Sequence, residues 1–146
     1  MGETLLFSGI IVWATALCGY DVCFQRLPNW LTVPAAMITI ALAAVNCPWT
    51  VAGGVGWAAL YLLGRTGGGD VKLALSLGVV AASHGLVVWW CAVTLASVTT
   101  VLIGVVTRRR RLPHGPSMLV ATFLAPSFVG DLESGAYLKG VFVSLA

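Results

Sequence analysis

Residues 86–111 read LVVWWCAVTLASVTTVLIGVVTRRRR, an uncharged and largely apolar run closed by four consecutive arginines. A helix needs about 20 apolar residues to cross the hydrocarbon core of a bilayer, and 86–106 supplies them. Positive residues are held on the cytoplasmic side of a membrane span. Arg108, Arg109, Arg110 and Arg111 therefore give the run a direction and offer an anchor for anionic membrane lipid.

Reading outward, further apolar runs occupy 4–21, 31–46, 49–64, 71–84 and 117–130. The fourth is short for a span, a length tolerated where the bilayer thins or flanking residues snorkel, and 71–106 is long enough for a helical hairpin turning near Ser83-His84-Gly85. Of the eight Lys and Arg residues, Arg26, Arg65, Lys72 and the four arginines fall in the first, third and fifth connections, and Lys139 is the exception. This distribution puts those connections in the cytoplasm and both termini outside. Trp30 and Trp49 stand at predicted helix ends, where indole prefers the headgroup level, whereas Trp13 and Trp57 fall mid-span as packing residues. The expectation is an all-α integral membrane protein, a polytopic bundle of about six transmembrane helices forming one membrane-embedded domain over residues 1–146.

Composition agrees: 59% of the 146 residues are hydrophobic and 9% charged, against about 25% charged in soluble domains. A secretory signal is not expected, since Glu3 precedes Leu5–Ala16 without Lys or Arg, no Ala-x-Ala follows, and Leu17 stands before Cys18. Cys18, Cys23, Cys47 and Cys91 are scattered singly, which reads as buried spectators rather than a zinc site or redox pair. His84 and His114 are lone, so no metal is expected. The net charge of +3 comes without a basic patch carrying stacking aromatics, which argues against nucleic acid as a partner.

Among the acidic residues, Glu3, Asp131 and Glu133 fall on the outer side of this layout, leaving Asp21 and Asp70 at cytoplasmic helix ends. An ionisable group at membrane depth is costly and is a functional candidate for that reason. Asp70 has a plain alternative reading as a helix N-cap, following Gly67-Gly68-Gly69 and preceding an apolar run. Asp21 is harder to explain, because a helix C-terminus disfavours an anion by about 0.3–1 kcal/mol; its alternative is a carboxylate snorkelling to the surface. The glycines before Asp70 allow close approach of another chain, as a peptide substrate requires, or form a flexible loop. Lys72 is a partner for Asp70 or a headgroup anchor.

Three segments, DVCFQRLPNWLT at 21–32, GGGDVK at 67–72 and LPHGP at 112–116, together resemble the type IV prepilin peptidase family. That family has an aspartate seven residues before the proline of an Ile/Leu-Pro-Asn-x-Leu-Thr stretch, a second aspartate in Gly-x-Gly-Asp-x-Lys, and a later Pro-x-Gly-Pro. The resemblance extends over about residues 10–125. It implies a membrane aspartic endopeptidase with Asp21 and Asp70 as the catalytic pair and no cofactor. Around the pair it places Arg26, Pro28, Asn29, Gly67, Gly69, Lys72, Pro113, Gly115 and Pro116 as substrate-binding or structural positions. The implied partner is a prepilin or pseudopilin precursor, of the Flp/Tad or pseudopilin kind, whose short basic leader is cut after a glycine at the cytoplasmic face of the inner membrane. Longer members carry a cysteine-containing cytoplasmic insertion and also methylate the new N-terminus. Nothing in this sequence matches that insertion, so peptidase activity without methyltransferase activity is expected. His114 departs from the apolar or aromatic residue usual in related sequences.

Peptide hydrolysis by two carboxylates needs one ionised to activate water and one protonated to donate, and two close carboxylates achieve this by sharing a proton. Helix position suggests Asp70, at a helix start, as the base and Asp21, at a helix end, as the acid. The alternative from another class is a small membrane carrier or proton and ion pathway using the same aspartates, yet the sequence beyond each is mainly apolar. A packing subunit rich in small residues leaves the carboxylates unexplained. The Gly-x-Gly-Asp stretch is also similar to that of presenilin-like proteases, from which the Pro-Asn stretch after Asp21 separates it.

Overall fold

The computed structural model describes the backbone of residues 2–64, 67–108 and 114–144, and the side chains of 8–64, 67–108 and 114–130. Among these residues the chain is helical, with α1 Gly2–Phe24, α2 Asn29–Asn46, α3 Thr50–Leu63, α4 Gly68–Ser83, α5 Leu86–Thr107 and α6 Gly115–Ser144. The apolar runs account for the cores of these helices, and the differences lie at the ends. α1 continues past residue 21 to Phe24, where Gln25 at φ 51° closes it and donates its N–H to Asp21 O at 2.9 Å. α4 begins at Gly68, so two of the three glycines expected to precede the helix lie inside its first turn. α6 runs on to Ser144 beyond the expected end at 130. The hairpin between α4 and α5 turns where expected: His84 ends α4 and Gly85 takes φ +113°, a conformation few other residues tolerate.

α4 is the hub, packing against α2, α3, α5 and α6, whereas α1 has α6 as its main neighbour. Leu73, Ala74, Leu77 and Ala81 of α4 are buried with Trp57 of α3, Ala92 of α5, and Met118 and Leu119 of α6. Small residues let α3 and α4 touch through their backbones. A Cβ on Gly54 would lie 2.5 Å from Leu75 O, and one on Gly78 would lie 2.7 Å from Gly53 O and 2.8 Å from Gly54 Cα. Trp89 fixes α5 against α3 by donating its indole N–H to Gly53 O at 2.9 Å, and Trp13 ties α1 to α2 through Leu31 O at 3.1 Å. Trp57 is fully buried and Trp30 and Trp49 are exposed, as their positions suggested.

Large apolar side chains cover the outside, among them Met37, Val45, Leu63, Val101 and Val106. α2 and α5 are long and apolar enough to cross a membrane, and shorter apolar helices occupy Ser8–Phe24, Thr50–Leu63 and Gly115–Gly130. The cysteines depart from expectation: all four are free, but none is fully buried, and Cys23 and Cys47 are exposed.

The α3–α4 contact makes a direct prediction. Gly78→Val places its new carbons against backbone atoms that cannot move aside, and overpacking of this kind costs about 1–3 kcal/mol or more. Thermal unfolding in detergent is expected at a clearly lower midpoint for Gly78→Val, whereas Gly19→Ala, which meets nothing within 4 Å, keeps or raises it.

Candidate active site

The site forms where the start of α4, the last turn of α1 and the start of α6 converge. Asp21 sits one turn before the end of α1 and is only 4% exposed. Its Oδ2 accepts the backbone N–H of Gly115, the first residue of α6, at 2.8 Å. The N-terminus of α6 thereby supplies the partial positive charge that α1 withholds from a carboxylate near its C-terminus. A snorkelling surface carboxylate does not describe this residue.

Asp70 is the third residue of α4, and the N-cap position belongs to Gly67. Its carboxylate accepts the Gly67 backbone N–H, the reach from third residue back to cap that forms half of a capping box. The N-cap reading is thus displaced by three residues: the Asp70 side chain serves the helix start from within the first turn. Each aspartate accepts an N–H at a helix start, so helix position no longer divides the pair into acid and base.

Leu27 brings the segments that carry Asp21 and Asp70 together, and His114 immediately precedes the Gly115 that binds Asp21. The imidazole is half-buried, edge-on to Tyr61 of α3 with centroids 6.0 Å apart, and its Nδ1 lies 3.4 Å from Thr100 Oγ1 of α5. Thr100 and Ser117 hydroxyls meet at 2.7 Å, and Ser117 donates to His114 O at 2.8 Å. α6 packs against both α1 and α4, the helices that carry the two aspartates.

Leu27, buried in the turn after α1, locks the three segments together. A Cβ on Gly69 would lie 2.7 Å from Leu27 Cβ, and one on Gly115 would lie 3.4 Å from Leu27 Cδ2 and 2.8 Å from Asp21 Oδ2. What approaches Gly69 is therefore the chain's own Leu27. Pro28 takes the N-cap position of α2, and its carbonyl accepts Leu31 and Thr32 N–H groups. Lys72 turns from Asp70 to Asn29, donating to its Oδ1 at 2.8 Å and joining the first segment to the second on the surface. Pro116 occupies the first turn of α6, where a missing N–H costs nothing. Arg26 is exposed. Arg65, Arg109, Arg110, Arg111 and Pro113 lie outside the described residues. Among the described residues no three His, Cys, Asp or Glu side chains converge closely enough to hold a metal ion.

Sequence reasoning missed Leu27, although it sits inside the quoted segment. It had no signal for Tyr61, Thr100 and Ser117, which reach the site from three different helices.

A family model described as the type IV leader peptidase family matches residues 9–106, more than half of the chain, and the chain belongs to that family. Comparison with curated proteins gave no match, and comparison with solved structures gave none.

The glycine contacts predict a loss of activity without loss of fold. Gly115→Ala drives a methyl against the Asp21 carboxylate, expected from sequence to be one of the reacting pair, and misplacing a reacting group by about 1 Å costs on the order of a hundredfold in rate. Leader cleavage measured by gel is expected to fall accordingly, with helical content by circular dichroism unchanged; Gly68→Ala, which meets nothing within 4 Å, retains activity.

Proposed function

We propose that the chain is a membrane aspartic endopeptidase in which Asp21 and Asp70 cut the short basic leader from type IV pilin-like precursors, of the Flp/Tad or pseudopilin kind, after a glycine. The observation that carries this reading is the convergence of the segments that bear the two carboxylates: Leu27, six residues after Asp21, packs against Gly69 next to Asp70 and against Gly115, whose N–H binds Asp21. Two such groups hold one proton between them. The ionised partner takes a proton from water as the water oxygen attacks the scissile carbonyl and the protonated partner donates to the carbonyl oxygen; on collapse of the resulting gem-diol the first partner passes its proton to the leaving amine and the second recovers one from a gem-diol hydroxyl. The pair belongs to the protein as a unit, and either aspartate serves as base.

The apolar exterior and the spans at α2 and α5 support a multi-pass placement in the inner membrane. With Arg26, Lys72 and the arginines from 108 to 111 in the cytoplasm, the aspartates lie at the cytoplasmic face and both termini outside. There a basic leader stays in water while the apolar segment after it remains in lipid. The proposed product is an unmethylated N-terminus.

Co-expression with a precursor carrying a basic leader, a glycine and an apolar helix tests the chemistry. Wild type is expected to shorten the precursor, and Asp21→Asn and Asp70→Asn each to lose about a hundredfold or more in rate; equal cleavage by all three proteins refutes the pair. The mass of the product shows directly whether a methyl group has been added.

Topology is tested with the native thiols. Cys23 and Cys47 are both exposed, Cys23 in the last turn of α1 and Cys47 just after α2, so the proposed layout puts them on opposite sides of the membrane. In intact spheroplasts a membrane-impermeant maleimide is expected to label Cys47 and to reach Cys23 only after permeabilisation; the reverse order inverts the proposed orientation.

A further inference from the structure

α3 and α5 both pack on α4, and between them lies an open-sided cavity of about 330 Å³, within the size range of ligand pockets. Its head is polar, formed by His114, Tyr61 and Thr100, and the rest is walled chiefly by Leu60, Val93 and Val101 with Ser97 among them. The head borders Asp21, since His114 lines it and the next residue, Gly115, is bonded to the Asp21 carboxylate. Along α5 the lining runs from Val93 to Val101, about 12 Å at the rise of a helix, which matches about three or four residues of extended chain.

The lining chemistry selects one part of a peptide. Among the described residues no acidic side chain lines the cavity, so these walls offer a basic leader no partner, whereas an apolar segment matches them. A peptide unwound for hydrolysis still has backbone N–H groups that need acceptors in apolar surroundings. Ser97 donates its one hydroxyl proton to Val93 O at 2.8 Å, and Thr100 donates to Ala96 O at 2.9 Å or to Ser117. Both oxygens keep lone pairs able to accept.

We infer that this groove between α3 and α5 receives the first residues of the apolar segment after the cleaved bond, with the bond itself at the His114 end. The inference rests on Asp21 and Asp70 being the catalytic pair and adds the path by which substrate reaches them. Lipid acyl chains are the competing occupant.

A photoreactive phenylalanine derivative placed at Ser97, and in parallel at the exposed Met37 of α2, is tested in full-length Asp70→Asn protein in membranes with the same precursor. Crosslinks from position 97 to the residues just after the glycine, absent from position 37, are expected. Ser97→Trp, which fills the groove, is expected to slow cleavage by about tenfold or more relative to Met37→Trp. Crosslinking from position 37 alone, or to lipid alone at 97 while wild type cleaves, overturns the groove and leaves the peptidase reading standing. Absence of cleavage by wild type removes both. If Ser97→Trp fails to accumulate, the crosslink in the otherwise native chain decides.

Discussion

The site depends on Leu27 lying between two glycines. Its side chain and carbonyl occupy space that a Cβ on Gly69 would take, and its tip lies where a Cβ on Gly115 would meet it. Through this one residue the turn after α1 is pressed against the starts of α4 and α6, the two helices whose N-terminal N–H groups meet Asp70 and Asp21. The contact is apolar and non-directional, but its tightness sets the register of three helices. Close packing of this kind transmits a small change in volume directly to neighbouring atoms, here to two carboxylates.

The electrostatics follow from the same convergence. A carboxylate near a helix C-terminus is poorly placed by its own helix, and Asp21 receives from α6 what α1 cannot give. Asp70 draws on its own helix start through Gly67. The arrangement gathers the two acidic groups at the starts of α6 and α4, with His114 of the third segment immediately before the Gly115 that binds Asp21. Lys72, the nearest candidate for a direct counter-ion by sequence, is engaged on the surface by Asn29.

The bundle also explains why its central helix is the least apolar of the set by pattern. α4 carries Asp70, Lys72 and Ser76 and is surrounded by four others, so Ser76 is buried and satisfies itself on Leu73 O at 2.9 Å, while Lys72 reaches Asn29 at the surface. α5 presents Val98, Val101 and Val105 outward and must be apolar on that side. A helix enclosed by neighbours need not match the length or hydropathy of one exposed to hydrocarbon.

The helices were legible in the sequence because charge-free apolar runs are local and cumulative: a run such as 86–106 declares a helix whatever packs against it. The two aspartates were legible for a related reason, being isolated acidic residues in an apolar chain whose flanking residues fall into recognisable segments. Their mutual arrangement was not. Whether Gly69 faces a substrate or Leu27, whether Lys72 pairs with Asp70 or Asn29, and which group meets Asp21 depend on contacts between residues far apart along the chain, such as Asp21 and Gly115. Periodicity and composition fix what each helix is made of, whereas the identity of its neighbours is decided by backbone approach at glycine, which no single segment encodes.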